Sequence, residues 1–326
     1  MDKLLEIKNL AVSPLTAYGR VHGVRDVSLE IGGGEIVGIV GESGCGKTLT
    51  AKAVLGLHNP ERTDISGSII YRKKDGSAVD LLKISRKDLS AIRGSEISMV
   101  LQDSKLALSP IITLGRQMED VILAHRDISR KEARMIAAGL LSDVGIDNPG
   151  LRLKSLPGEL SGGQLQRVCI AMAISSNPRL LIADEPTTAL DTVTQEQILA
   201  LLKKLSADRG MAVMIVTHNF SVIKRLCDRV YVMYAGFVAE SGEVGEVIEN
   251  PRHRYTRDLL NSIPRLGSKE RLISVPGALP DVYSEISGCP YFERCRQSGK
   301  SCLEGIGVRG FGGSHYAFCT GGDNGD

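Results

Sequence analysis

Residues 36–48 read IVGIVGESGCGKT: an unbroken apolar run, a glycine-rich turn, and then the helical stretch KTLTAKAVLGL. Few patterns constrain a fold as tightly. The spacing G-x-x-x-x-G-K-[ST] falls on Gly41, Gly46, Lys47 and Thr48. It works where a buried strand feeds a helix, because the glycines must curl the backbone until successive N–H groups face phosphate oxygens. The helix N-terminus adds the positive end of its dipole. Lys47 is then expected to reach the β- and γ-phosphates, and the Thr48 hydroxyl to bind Mg²⁺. Ser43, Gly44 and Cys45 complete the loop and count among the nucleotide-binding residues, although Cys45 stands at a variable position and reads as a small side chain. A glycine-rich turn with a surface lysine is the plainer alternative, and the flanking strand and helix argue against it.

Two further apolar runs, LLIA at 180–183 and AVMIV at 212–216, are separated from the first by helical patterns. Continuous apolar runs suit strands buried on both faces, so the chain is expected to be α/β with a parallel sheet and crossover helices. VSLEI at 27–31 instead alternates apolar and polar residues, and RVYVMYAGFVAESGE at 229–243 reads as a hairpin turning near Ala235-Gly236. Residues 105–175 are mainly helical: Ala133, Ile136, Ala137, Leu140, Leu141 and Val144 recur at helical spacing. This segment is expected to be a helical insertion into the α/β core.

At 179–191 the sequence is RLLIADEPTTALD. The apolar run delivers Asp184 and Glu185 to a strand end. The first carboxylate can support Mg²⁺, and the second can orient or deprotonate an attacking water. An acid pair at a strand end often only caps or solvates it; beside the phosphate loop it reads as catalytic.

LSGGQLQR at 160–167 then follows in the order that ABC-type ATPases show, and the chain resembles that family over most of residues 4–245. Ser161, Gly162, Gly163 and Gln164 open a helix whose N-terminal N–H groups make a second anion-binding surface. The resemblance implies that this surface closes on ATP held by another subunit in a head-to-tail dimer. It also implies an ABC-type nucleotide-binding domain with a RecA-like core, an antiparallel β subdomain and a helical subdomain. By position, Gln102 in MVLQDS matches the glutamine that touches Mg²⁺ and the attacking water, and His218 matches the histidine at the γ-phosphate. Asp191 matches the acid at the subunit interface, and Tyr18 the aromatic that stacks on adenine. The family's QDP is QDS here, and its NP is Ser109-Pro110.

Net charge is +2, the N-terminal residues MDKLLEIKNL lack a signal-peptide core, and no apolar run approaches the ~18 residues of a membrane span. A nucleic-acid partner is not expected. One phosphate loop and one signature favour transport over the soluble ABC proteins of translation or DNA repair, which generally carry two cassettes. NPRHRYTRDLLNSIPRL at 250–266 and ISVPGALPDVYSEISGCPYFERC at 273–295 resemble the tail of oligopeptide and dipeptide importer ATPases, a family that includes nickel importers. The family's HPYT is His253-Arg254-Tyr255-Thr256 here. This resemblance implies two integral-membrane permease subunits, a second ABC ATPase subunit (a related chain rather than a copy), an extracytoplasmic substrate-binding protein, and a peripheral place on the cytoplasmic face of the membrane. Import of nickel or a metal chelate is the alternative cargo.

Composition shifts near residue 265, so an ABC ATPase domain is expected over 1–264, with its helical subdomain at about 105–175, and a small C-terminal domain over 265–326. Four of the seven cysteines fall in that tail, at Cys289, Cys295, Cys302 and Cys319, with spacing C-x5-C-x6-C-x16-C. The spacing matches neither paired zinc motifs nor common ferredoxin runs. Soft ligands suit an iron–sulfur cluster or zinc, and reduced or disulfide-linked thiols remain open. Similar cysteines in the importer family are associated with a [4Fe–4S] cluster. A tail poor in aliphatics is therefore expected to rely on a metal staple.

Overall fold

The computed structural model describes residues 3–263, 274–303 and 307–319. Strand β1 (Lys3–Thr16) turns through the short β2 (Gly19–Arg20) and pairs antiparallel with β3 (Val24–Gly32). In β3, Val27, Leu29 and Ile31 are buried while Asp26 and Ser28 face out, as a one-sided sheet requires. Strand β4 (Ile36–Val40) is buried at every residue and feeds α1 (Lys47–Val54). Strands β5 (Thr63–Arg72) and β6 (Ala78–Asp80) extend the antiparallel sheet beyond β1. Helix α2 (Arg86–Ile92) begins at Ser85, whose hydroxyl accepts from the Asp88 N–H, and leads to β7 (Ile97–Val100).

Five helices follow: α3 (Ser104–Ala107), α4 (Leu114–Leu123), α5 (Arg130–Asp143), α6 (Pro149–Arg152) and α7 (Gly162–Ala173). They occupy the segment read as a helical insertion. Helix α5 starts at a reciprocal Ser129–Glu132 capping box and buries Ala133, Ala137, Leu140 and Leu141. The chain then returns through β8 (Leu180–Asp184), α8 (Thr192–Arg209), β9 (Ala212–Thr217), α9 (Phe220–Leu226) and the hairpin β10 (Arg229–Tyr234) to β11 (Phe237–Glu243). Ala235 and Gly236 turn that hairpin at positive φ, where the sequence put the turn. Helices α10 (Val244–Glu249) and α11 (Arg254–Asn261) close the cassette, and the tail adds β12 (Val308–Gly310) and β13 (Tyr316–Phe318).

The strands lie in the order β6-β5-β1-β3-β11-β10-β4-β9-β8-β7, with β10, β4, β9, β8 and β7 mutually parallel. Side chains of β9 show why the apolar runs are unbroken. Val213 and Ile215 enter the core under the helical segment, while Ala212, Met214 and Val216 enter the core against the antiparallel sheet. Each fully buried Val or Ile contributes about 1.5–3 kcal/mol, which fixes the register against a slip.

A third core explains how the tail holds. Tyr291 is fully buried beside Tyr234 and Tyr255, with ring centroids 5.1 and 5.4 Å away. Its hydroxyl donates to Asp258 at 2.7 Å. Strand β13 adds antiparallel to β11, and the buried His315 sits 2.7 Å from the fully buried Glu240. The described tail thus has buried partners in the cassette besides any metal staple. It borrows aromatic and aliphatic partners from the cassette rather than building a core of its own.

Candidate active site

The phosphate loop sits where the sequence puts it, between the buried β4 and α1. Gly41 has no room for a side chain, since a methyl there would lie 2.2 Å from the Met233 carbonyl oxygen. Gly44 and Gly46 take positive φ. Lys47 is nearly buried and donates from Nζ to the carbonyl oxygens of Gly41 at 2.8 Å and Glu42 at 3.0 Å. Its ammonium therefore lies over the loop's own carbonyls. Ser43 is exposed and Cys45 is buried, its thiol pKa pushed up by burial. A thiol held protonated is a poor nucleophile, in keeping with a packing role.

Thr48 Oγ1 donates to Asp184 Oδ1 at 3.0 Å, so the loop hydroxyl and the strand-end carboxylate meet. These are hard oxygen donors of the kind that Mg²⁺ takes. Burial, and then the adjacent Glu185, raise the Asp184 pKa. Glu185 has a backbone φ of 50°, a left-handed conformation that is costly for a non-glycine residue, and its N–H is tied to Val216 O at 2.8 Å. Its side chain is also fixed. Oε2 accepts from Thr188 Oγ1 at 2.7 Å, and Oε1 lies 2.8 Å from His218 Nδ1. An ionised carboxylate only accepts, so Nδ1 carries the proton in that contact. The structure thus brings Lys47, Thr48, Asp184, Glu185 and His218 to the C-terminal ends of β4, β8 and β9.

Other sequence-marked residues stand apart from this group. Gln102 is exposed just beyond β7. Tyr18 is 89% exposed in the β1–β2 turn. Ser161 caps α7, accepting from the Gln164 N–H at 3.3 Å while its own N–H donates to Gln164 Oε1 at 3.0 Å. Asp191 caps α8 and accepts from the Thr194 N–H at 3.0 Å and from its hydroxyl at 2.6 Å. Those hydrogen bonds hold its carboxyl below the ordinary aspartate range. Gly162 and Gly163 form the first turn of α7, and Gly163 faces Thr194 of α8.

Sequence reasoning missed Glu42, Tyr255 and Arg294. Tyr255 accepts at its hydroxyl from the Glu42 N–H at 2.9 Å, and Arg294 pairs with the Glu42 carboxylate at 2.8 and 3.1 Å. Glu42 occupies a variable loop position, so no local signal marked it.

Cys289, Cys295, Cys302 and Cys319 line one cavity of about 50 Å³, together with Arg252, Arg254 and Arg257. Burial, and to a lesser degree the neighbouring cysteines, push the Cys289 thiol up to about 11. Cys295 is raised chiefly by burial, with Arg254 pulling the other way. Among the described residues, no group of three or more His, Cys, Asp or Glu side chains is arranged to hold a metal ion. His315, a conceivable substitute ligand, is engaged with Glu240.

A second cavity of about 340 Å³ opens between β7, α3 and α7. Leu57, Met99, Val100, Leu101, Ala107 and Leu108 are among the residues lining it. Leu106, Ile111 and Ile112 are exposed nearby in sequence. Among the described residues, no helix is long and apolar enough to cross a membrane.

Comparison with known proteins follows the same lines. Residues 24–188 match the ABC transporter family, and residues 239–302 match the C-terminal region of oligopeptide/dipeptide transporters. The chain is 43% identical over 297 residues to the dipeptide transport ATP-binding protein DppD of Bacillus subtilis, covering 90% of this chain and 87% of that protein. It is 44% identical over 307 residues to a putative peptide import ATP-binding protein of Brucella melitensis, covering 92% and 91%. Among solved structures, the dimeric ATP-binding cassette MJ0796 bound to ADP and Pi aligns with a TM-score of 0.64 at 29% identity, over 74% of this chain and 98% of that one. CbiO1 of Clostridium perfringens, part of the ABC transporter complex CbiONQ, aligns with a TM-score of 0.63 at 28% identity, over 77% and 92%.

Proposed function

Because this chain belongs to the ABC transporter family, as an ATPase with the C-terminal region of the oligopeptide/dipeptide branch, we propose that it hydrolyses ATP to power import of di- and oligopeptides. The observation that carries the cargo reading is the match over residues 239–302, because the ATP motifs alone are shared with ABC proteins of every cargo. The same match ranks the membrane role above a soluble one, and the relatives' dipeptide and peptide import roles favour peptides over nickel.

In the proposed cycle, Tyr18 stacks on adenine and Lys47 neutralises the β- and γ-phosphates. Thr48, Asp184 and Gln102 are the groups that would hold Mg²⁺, which offsets phosphate charge when bound. Glu185 accepts the proton of the attacking water, held in place by Thr188 and His218. His218 also meets the developing charge at the γ-phosphate. Gly162 and Gly163 offer their N–H groups, and Ser161 and Gln164 their side-chain donors, to ATP on a second ATPase subunit, with Asp191 at the interface. That subunit is a related chain in our reading. The apolar cavity lined by Met99, Leu101 and Leu108, with the exposed Leu106 and Ile111, suits a helix end from one of the two permease subunits, at the cytoplasmic face of the membrane. An extracytoplasmic binding protein delivers the peptide.

We also propose the division into 1–264 and 265–326, and a [4Fe–4S] cluster on Cys289, Cys295, Cys302 and Cys319, with zinc as the alternative. Support comes from four soft donors lining one cavity. Iron and acid-labile sulfide measured on anaerobically purified protein test it. Neither iron nor zinc in a folded, active ATPase would remove the cluster from the proposal.

The function is tested in cells by replacing Glu185 with Gln and following uptake of a labelled dipeptide. Uptake should fall by ~10²-fold or more, since general base catalysis supplies about 10²–10⁴. Unchanged uptake alongside abolished ATPase activity would reject peptide cargo. Full steady-state ATPase activity in the purified variant would reject Glu185.

A further inference from the structure

The tail reaches the phosphate loop through one side chain. Arg294 sits on the short turn before Cys295 and is 7% exposed. Its guanidinium forks onto Glu42, Nη1 to Oε2 at 2.8 Å and Nη2 to Oε1 at 3.1 Å. The arginine is itself held. Nη1 also donates to Tyr234 Oη at 3.1 Å, Nε donates to the Pro276 carbonyl, and the guanidinium lies 5.4 Å from the Tyr234 ring centroid and 5.5 Å from that of Tyr291. Glu42 is the second residue of the loop, and its carbonyl oxygen accepts from Lys47 Nζ at 3.0 Å. The segment before Arg294 follows the same edge. Leu279 lies against Gly44, and Val282 O accepts from the His22 N–H at 2.8 Å.

An exposed ion pair would matter little. This one is forked, mostly buried and stacked on aromatic rings, and the loop it grips must hold two glycines at positive φ to aim its N–H groups. We propose that Arg294 is a positioning residue of the ATP site: acting through Glu42, it holds the phosphate loop in its receiving shape, so that ATP affinity depends on the docked tail. Neither Arg294 nor the Glu42 carboxylate contacts Glu185 or His218, so the effect falls on binding rather than on the chemical step. The inference rests on ATP binding at this loop and is independent of cargo.

The test is steady-state ATPase kinetics of the full chain assembled with its second ATPase subunit, with Mg²⁺·ATP as substrate. Arg294→Met keeps the aliphatic stem against the tyrosines and removes the fork, and it should raise the KM for ATP about ten-fold with kcat changed less than about two-fold. Glu42→Gln should raise KM similarly. The double variant should be no worse than either single one, because both remove one interaction. Arg294→Lys should recover only part of the affinity, since an ammonium lacks the fork. A fall in kcat at unchanged KM, or additive effects in the double variant, would overturn the proposal. If Arg294→Met does not fold, Glu42→Gln decides: an unchanged KM rejects it.

Discussion

Asp184 ends a strand buried on both faces, and burial raises the pKa of its carboxyl, whereas Glu185, one residue on, is gripped by Thr188 and His218. The raised value means that folding binds the Asp184 proton more tightly than the unfolded chain does. Its contribution to stability is therefore greatest in acid and is lost as pH rises from the ordinary aspartate range through the raised value. Once ionised, this buried carboxylate costs stability. Asparagine keeps an acceptor for Thr48 without the charge. Asp184→Asn should melt higher than the parent at pH 7, by about 2–4 °C for each kcal/mol recovered, and the gap should close in acid. Calorimetry at several pH values checks this. A lower melting point at pH 7 would show that the carboxylate stabilises the fold instead. Mg²⁺-dependent ATPase activity should be lost in the same variant.

The element scale turns on how closely α7 and α8 approach. A methyl on Gly163 would lie 2.4 Å from Thr194 Cγ2, and Thr194 cannot swing away freely because its hydroxyl is bonded to the Asp191 cap at 2.6 Å. Gly163→Ala should destabilise by about 1–3 kcal/mol, as overpacking does. Thr194→Ser removes the offending methyl and keeps the hydroxyl, so the double variant should regain most of that loss in a urea melt. Failure to regain it would mean that Gly163 is needed for its backbone rather than for space. The pair also shows which features were legible in advance. Strands β4, β8 and β9, the helical segment, the hairpin turn and the glycine signature were readable because each has a local pattern, an apolar run or a fixed spacing. What the glycine packs against was not, because Thr194 belongs to a different element. The same holds for Arg294 and Glu42, which lie 252 residues apart. Tyr291 and His315 likewise carry no period that points to Tyr234 or Glu240.

At the scale of the whole molecule, the residues of the proposed ATP site fall into parts that do not touch within one chain. The phosphate loop, Asp184, Glu185 and His218 cluster together, while the Ser161 cap and Asp191 bond to their own helices. The tail is joined to this machine by shared side chains, and Tyr291 is the anchor: fully buried, packed on two tyrosines and bonded to Asp258. Removing an aromatic ring of this kind costs about 3–5 kcal/mol. The loss falls on the contact between tail and cassette, not on the cores flanking β4, β8 and β9, so it should appear as local opening rather than global unfolding. Tyr291→Ala should therefore speed proteolysis within 274–303 by about ten-fold or more, while backbone amides of β4 and β9 keep their protection in hydrogen exchange. Tyr291→Phe loses only the hydroxyl bond to Asp258 and should cost about 0.5–1.5 kcal/mol, too little to free the segment. Equal loss of protection in the central strands and the tail would mean that the two unfold as one cooperative body, with Tyr291 belonging to the core of the ATPase itself.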